Sequence, residues 1–366
     1  MVKRVMILAG GTGGHVYPAL AVAQELRDAG HEVVWMGSRK GLEARVVPAA
    51  AIPIEWLSVS GIRGKGWRGI FKAPFMLIRA LRQSFSIVRR VRPDVVLGMG
   101  GFVSGPGGVV ARCLGVPLIL HEQNRVPGTT NRWLARWAEA VLEAFPGSFS
   151  ARIGAIASGN PLRREISGLA RRRKDNIWNP SLPLRVLVVG GSLGAKALNE
   201  IVPAALSKVR HPLEIRHQTG EAMWAETRAR YDALSLTAEV TAFVQDMAEA
   251  YGWAHLAICR SGAMTVSELA AAGLPAVLVP YPHAIDDHQT ANAQFLAEAG
   301  AAALMPQSRL TAEGLASVIH EWLQSPGTLD KMSRHAHRLA TPEAASMVAN
   351  LCLDYAGVAS NQGKTA

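Results

Sequence analysis

Side chains that could do chemistry cluster beside glycine and proline in this sequence. His15 ends the run Gly10-Gly11-Thr12-Gly13-Gly14, His121 and Glu122 open the tetrapeptide HEQN at 121–124, and Arg163 closes GNPLR at 159–163. Glu268 ends CRSGAMTVSE at 259–268, ahead of a polar loop with His283, Asp286, Asp287, His288 and Gln289. A histidine suits general-base work near neutral pH, and capping a helix is the structural alternative for His15. Glu122 is the competing base, with His121 behind it. The Arg163 guanidinium could pair with a diphosphate or form a surface salt bridge. Thr265 and Glu268 have capping-box spacing, so Glu268 either closes a helix N-terminus or, beside a nucleotide, accepts both ribose hydroxyls. The loop around Asp286 is flanked by proline and lacks metal-ligand spacing, so metal binding is the weaker reading there and polar contacts to a ligand's hydroxyls the stronger.

The elements that must hold these groups follow from the surrounding pattern. VKRVMILAG, GTGGHVYP, ALAVAQELRDAG and HEVVWMG succeed one another from residue 2 to 37. That order is strand, glycine loop, helix, glycine, strand, the βαβ opening of a parallel sheet. Pro18 suits a first helical turn and Gly30 a helix C-terminus. The pattern restarts in LPLRVLVVGGSLGAKALNEIV at 183–202, where GGSLGA at 190–195 aligns with GGTGGH at 10–15, an offset of 180 residues. A third loop, GMGGFVSGPGG at 98–108, holds six glycines in eleven residues. Such density lets backbone N–H groups approach an anion.

Neither common nucleotide motif fits these loops. No lysine follows the glycines as a P-loop requires. The third place of a dinucleotide fingerprint is Val16, and no acid ends the second strand, which disfavours a nicotinamide oxidoreductase. What remains is helix N-termini, worth about 0.3–1 kcal/mol each to an anion at exposed sites. The expected fold class is therefore α/β: two tandem Rossmann-like domains with a deep interdomain cleft, resembling the two-domain GT-B nucleotide-sugar transferases. The boundary is expected near Asn160–Pro161, giving domains 1–160 and 161–340. The basic run Arg171–Lys174 reads as a solvated loop within the linker.

A chain of 366 residues with 49% hydrophobic content suits two packed domains. Cys113, Cys259 and Cys352 form no CxxC or zinc spacing, as expected of a reduced cytoplasmic protein. The apolar run Val5–Ala9 is too short for a signal peptide. The uncharged stretches 95–111 and 269–285 are broken by glycine and proline and fall short of the ~20 residues of a spanning helix. The net charge of +11 attracts polyanions. Residues 56–93 contain no acid, yet carry Arg63, Lys65, Arg68, Lys72, Arg79, Arg82, Arg89, Arg90 and Arg92 among apolar side chains. Phe75, Ile78, Leu81, Phe85 and Val88 recur there at helical spacing, as core or as an exposed face. Apolar tips with a basic rim suit an anionic membrane surface, at about 1 kcal/mol per well-placed cation. The candidate membrane residues are Trp67, Arg68, Phe71, Lys72, Phe75 and Arg79. Nucleic acid is disfavoured, because no RNA or DNA module is recognisable.

GGTGGHVYPALAVA, GMGGFVSGPGG, HEQN, GNPLR, GGSLGA, CRSGAMTVSE and DDHQTANA appear in that order from Gly10 to Ala293. Together they resemble the MurG-type N-acetylglucosaminyltransferases of bacterial cell-wall synthesis over nearly the whole chain. The resemblance implies transfer of GlcNAc from UDP-GlcNAc to the undecaprenyl-linked MurNAc-pentapeptide, with inversion at the anomeric carbon. It implies that Thr12, Gly13 and Gly14 lie against donor and acceptor, and that Asn124 and Gln289 contact the GlcNAc. Arg163 and Ser192 would meet the diphosphate, and Val244 would bind uracil through its backbone with Phe243 beside it. Ala263, Met264, Thr265, Val266, Ser267 and Glu268 would cover sugar, phosphates and ribose. A helix within 341–358 would cross back to the first domain.

Phe102 and Leu193 depart from the family pattern, where tyrosine and glutamine are frequent, and remove a polar group each. Inversion calls for one in-line displacement and hence a base, for which His15 is the first candidate and Glu122 the second. Loop amides, helix dipoles and Arg163 would neutralise the leaving diphosphate, so no cofactor is obligatory. The expected location is the cytoplasmic face of the bacterial inner membrane, peripherally, alongside other cell-wall synthesis and division proteins. Two alternatives stand beside this reading: another UDP-sugar transferase with a lipid-linked acceptor, and a non-catalytic, membrane-associated nucleotide-sugar binding scaffold.

Overall fold

The computed structural model describes residues 1–58, 66–169 and 178–362, with backbone only at 66–73, 285 and 358–362. Trp67, Arg68, Phe71 and Lys72 therefore have no described side chains, and Arg63, Lys65 and Arg171–Lys174 lie outside the described residues. The chain divides into two compact units, residues 1–163 with 343–366, and residues 164–342.

In the first unit β1 (Arg4–Ala9), α1 (Gly13–Asp28), β2 (Glu32–Ser38), α2 (Glu43–Ala49) and β3 (Ile54–Leu57) are followed by α3 (Gly66–Val91) and β4 (Val95–Gly100). Then come α4 (Ser104–Cys113), β5 (Leu118–Glu122), α5 (Thr129–Leu134), β6 (Ala140–Glu143) and β7 (Ile156–Ala157). All seven described strands run parallel in the order β3-β2-β1-β4-β5-β6-β7. Alternation along β1 supplies both faces of this sheet. Val5, Ile7 and Ala9 pack under α1, while Met6 and Leu8 pack under α3, α4 and α5.

The second unit runs α6 (Arg164–Ser167), β8 (Leu184–Val189), α7 (Lys196–Leu206), β9 (Leu213–Gln218), α8 (Trp224–Ala233), β10 (Ala238–Thr241) and α9 (Met247–Trp253). It continues through β11 (Leu256–Cys259), α10 (Ala263–Ala272), β12 (Ala276–Leu278), α11 (His288–Glu298), β13 (Ala302–Leu304), α12 (Ala312–Gln324) and α13 (Thr328–Arg338). Its parallel sheet has the order β10-β9-β8-β11-β12-β13. Each sheet thus reverses direction of growth beside its first strand, between β1 and β4 and between β8 and β11. Open α/β sheets bind ligands at the carboxyl ends of the strands flanking that point. The last helix, α14 (Ala344–Gln362), packs in the first unit, where Val348, Ala349, Cys352 and Ala356 join the core beside α1.

Two local expectations shift. α1 begins at Gly13, so Pro18 lies in its second turn, not its first. The glycine-rich start makes this possible: the His15 and Val16 amides both reach the Thr12 carbonyl, winding the helix before the proline. The apolar stripe of α3 also splits. Val88 is buried and Leu81 half-buried, whereas Phe75, Ile78 and Phe85 are exposed; Ala80, Ser84, Ile87 and Val88 form the inward face. No helix among the described residues is long and apolar enough to cross a membrane.

Candidate active site

Loops at the ends of β1, β4 and β5 meet around His15. It is the third residue of α1, whose N-cap Thr12 is exposed and makes no side-chain cap bond. The half-buried His15 ring lies flat against Gly100, where a Cβ would fall 2.9 Å from both Cε1 and Nδ1. Gly100 has φ +102° and Gly101 φ +82°, and a Cβ on Gly101 would overlap the Gly10 carbonyl oxygen. Only glycine permits this approach. Ser104, fully buried, accepts the Gly100 N–H at 3.0 Å and lies 2.9 Å from the Leu8 carbonyl.

His15 Nδ1 is 2.7 Å from Gln123 Oε1, and Gln123 Nε2 is 2.9 Å from His121 Nδ1. His121 is fully buried, with Nε2 at 2.9 Å from the Gly159 carbonyl. Burial pulls its pKa down to about 4, against the opposing effect of that carbonyl, so it is neutral at neutral pH. Asn160 Nδ2 donates to the Gln123 carbonyl at 3.1 Å. The first two residues of GNPLR therefore brace HEQN.

Glu122 is placed differently. Its Oε1 accepts from the Asn124 backbone N–H at 2.9 Å and from Asn124 Nδ2 at 3.3 Å. Its Oε2 accepts from the Gly128 N–H and from Asn131 Nδ2, both at 3.0 Å. With 1% of its surface exposed, this carboxylate organises the β5–α5 loop and holds the half-buried Asn124. Arg163 stacks its guanidinium over the Tyr17 ring of α1 at 5.4 Å. Beneath the first glycine loop, fully buried Glu43 accepts from the Gly11 N–H and the Ser38 N–H at 2.9 Å, and from Ser38 Oγ at 2.7 Å.

In the second unit the loops after β8, β10, β11 and β12 carry the sequence candidates. Gln218, at the end of β9, accepts the Gly191 N–H at 3.1 Å and donates to the carbonyls of Gly191 at 2.9 Å and Ala242 at 3.0 Å. It staples the exposed Ser192 turn to the segment leading into Phe243, which is exposed, and Val244, which is half-buried. Gly194, with φ +75°, is compulsory there, since a Cβ would overlap the Thr219 carbonyl. The two family departures, Phe102 and Leu193, are exposed.

α10 begins at Ala263 behind Gly262, with no side-chain cap. Thr265 is therefore inside the helix, and the capping-box alternative for Glu268 is not realised. Glu268 Oε2 instead accepts from the Tyr251 hydroxyl at 3.0 Å. Burial, helped by the Glu268 charge, pushes the Cys259 thiol up to about 12, which makes it an inert core group. Ala263 and Val266 are buried, while Met264, Thr265, Ser267 and Glu268 are half-buried. Ser261 Oγ donates to the Gln289 carbonyl at 2.8 Å, and Gln289 Oε1 accepts from the Tyr281 N–H at 2.9 Å. Arg260 donates to the Val279 and Pro280 carbonyls and to Gln307 Oε1 at 2.6 Å. Among the described residues no three His, Cys, Asp or Glu side chains are grouped to hold a metal ion.

Gln123, Glu43, Gln218, Tyr251 and Arg260 have structural roles that the sequence pattern does not assign. Gln123 stood inside HEQN and Arg260 inside CRSGAMTVSE, so their motifs were visible; Glu43, Gln218 and Tyr251 carried no local signal.

Comparison with known proteins gives one answer along the chain. The glycosyltransferase family 28 N-terminal domain matches residues 5–143, and the family 28 C-terminal domain matches residues 185–348. The UDP-N-acetylglucosamine–N-acetylmuramyl-(pentapeptide) pyrophosphoryl-undecaprenol N-acetylglucosamine transferase of Methylococcus capsulatus is 62% identical over 358 residues, covering 98% of this chain and 100% of its own. The protein of the same name from Alkalilimnicola ehrlichii is 52% identical over 97% of this chain and 100% of its own. The crystal structure of Acinetobacter baumannii MurG superimposes with a TM-score of 0.83 at 42% identity, covering 96% of this chain and 99% of that one. The calicheamicin glycosyltransferase CalG4, at 15% identity and a TM-score of 0.67, shares the fold. With both domains of the family matched in order, and relatives alike from end to end, this chain belongs to glycosyltransferase family 28.

Proposed function

We propose that this chain transfers GlcNAc from UDP-GlcNAc to the C4 hydroxyl of MurNAc-pentapeptide-pyrophosphoryl-undecaprenol, inverting the anomeric carbon. The observation that carries this reading is the 62% identity, over 98% of the chain, to a relative named for that transfer. His15 takes the proton of the acceptor hydroxyl as its oxygen attacks C1, and UDP leaves from the opposite face. Thr12, Gly13 and Gly14 line this step, and Glu122 serves it by holding Asn124 against the sugar.

The donor rests on the second unit's strand ends. Val244 and Phe243 hold the uracil, Glu268 takes the ribose hydroxyls, and Gln289 contacts the GlcNAc. The diphosphate meets Ser192 and the N-terminus of α10, where the helix dipole favours its charge. These groups neutralise the leaving diphosphate, and no metal is obligatory.

The exposed Phe75, Leu77, Ile78 and Phe85 of α3, with Arg79, Arg82 and Arg89 among them, support docking on an anionic membrane surface. The enzyme works peripherally on the cytoplasmic face of the inner membrane, alongside other proteins of wall synthesis and division. Release of UDP from UDP-GlcNAc, with and without the lipid-linked acceptor, tests the reaction. Acceptor-dependent release is expected; release indifferent to acceptor, or none, would overturn it.

A further inference from the structure

The hydrogen-bond chain that ends on His15 has its direction fixed by two carbonyl groups. Gln123 Nε2 lies 3.0 Å from the His121 backbone oxygen as well as 2.9 Å from His121 Nδ1. A carbonyl cannot donate, so the Gln123 amide nitrogen faces His121 and its oxygen faces His15. At the far end His121 Nε2 lies 2.9 Å from the Gly159 carbonyl. That nitrogen must therefore carry the ring proton, leaving Nδ1 to accept from Gln123. Both ends agree on one polarity: His15 Nδ1–H donates to Gln123 Oε1 at 2.7 Å.

We propose that Gln123 and His121 are positioning residues that lock neutral His15 in its Nδ1–H tautomer, so that Nε2 presents the lone pair to the acceptor hydroxyl. The proposal rests on the assignment of His15 as base. Among the described residues no hydrogen bond reaches His15 Nε2, and Gly100 against the ring face fixes its plane. The low pKa of buried His121, about 4, keeps the anchor neutral and its tautomer single.

In serine hydrolases a carboxylate orients the histidine; here a neutral carboxamide does so. A carboxamide cannot take the proton, so the chain orients without relaying. When the acceptor O–H bond breaks and the Nε2–H bond forms, Nδ1–H continues to donate to Gln123. The contact therefore serves both protonation states.

The test is a long-range proton–nitrogen NMR spectrum of the full chain with 15N-labelled histidine imidazoles, recorded with His15 neutral and assigned by the resonances lost in His15→Ala. The wild type should show His15 with a protonated Nδ1 and a bare Nε2. In Gln123→Met, which keeps the length and removes both polar atoms, the Nε2–H form should appear. Its kcat should fall at least about tenfold, the scale of losing a histidine's orienting partner, with donor KM unchanged. His15 found as Nε2–H in the wild type, or an unchanged tautomer in Gln123→Met, would overturn the lock. The wild-type spectrum decides the matter even if the variant fails to fold. The base assignment fails separately, by near-normal kcat in His15→Ala.

Discussion

A carboxylate whose two oxygens already accept four N–H groups has little left to offer a substrate hydroxyl. Glu122 is in that position, whereas the described structure leaves Nε2 of His15 open. The two candidate bases should therefore fail in different ways. His15→Ala should keep its thermal midpoint and its donor KM while kcat drops by about 10²–10⁴, the usual weight of a general base. Glu122→Gln turns one acceptor oxygen toward its donors as an NH2 group, so buried N–H groups lose partners at about 1–3 kcal/mol. Its thermal midpoint should fall, and activity with it as Asn124 shifts. A melting curve beside steady-state kinetics separates them; an unshifted midpoint with a collapsed kcat in Glu122→Gln would reverse the roles. Residue types and motif membership made His15 and Glu122 legible as candidates. Their division of labour was not, because it depends on neighbours brought in by the fold: Gly128 and Asn131, which donate to Glu122 across a loop, and Gln123, which follows β5 and accepts from His15.

At the scale of elements, the strand–loop–helix repeats were legible from the periodic apolar runs and their glycine punctuation. The purpose of the glycines was less so. The six in 98–108 suggested an anion cradle, yet Gly98 admits Leu120, Gly101 admits the Gly10 carbonyl, Gly107 admits Leu8 and Gly108 admits Leu134. Close packing between strand, loop and α4 accounts for these four, and sequence density alone cannot separate packing from ligand approach. Each sheet also carries a buried neutral histidine as the penultimate residue of a strand, His121 in β5 and His217 in β9. His217 sits between the Tyr231 hydroxyl at 3.0 Å and Asn199 Oδ1 at 3.1 Å, and burial lowers its pKa to about 3. Asn199 in turn donates to the Thr219 carbonyl against which Gly194 packs. Both folded-state values lie below the unfolded 6.5, so the unfolded chain binds the extra protons as pH falls. The stabilisation is whole above pH 6.5 and is lost toward about 4 for His121 and about 3 for His217, on the order of a few kcal/mol each. Thermal midpoints measured from pH 7 to pH 4 should fall more steeply for the wild type than for His217→Leu. Parallel slopes would show that His217 is not buried neutral.

For the molecule as a whole, the charge of +11 and the absence of acids from residues 56–93 pointed to an anionic surface, but not to the side chains that meet it. Helical spacing grouped Phe75 and Ile78 with Val88 because a stripe has no sign: it fits a core and an interface equally. Burial supplies the sign. Ile87 and Val88 fill the core under α3, while Phe75 is 77% exposed, and Arg89 lies over the Phe85 ring at 5.5 Å. Arg90 by contrast is spent on Glu55 at 2.7 Å. The two parts of this face should respond to different conditions. Phe75→Ser with Ile78→Ser removes apolar insertion worth up to about 1.5–3 kcal/mol per side chain, so sedimentation with anionic vesicles should weaken at every salt concentration. Arg79→Glu with Arg82→Glu removes attraction of about 1 kcal/mol per cation, so its effect should be large at low salt and shrink as the Debye length contracts. Both variants should turn over a water-soluble acceptor at the wild-type rate, since neither touches the His15 loops. Binding that survives both changes would place the membrane contact elsewhere on the chain.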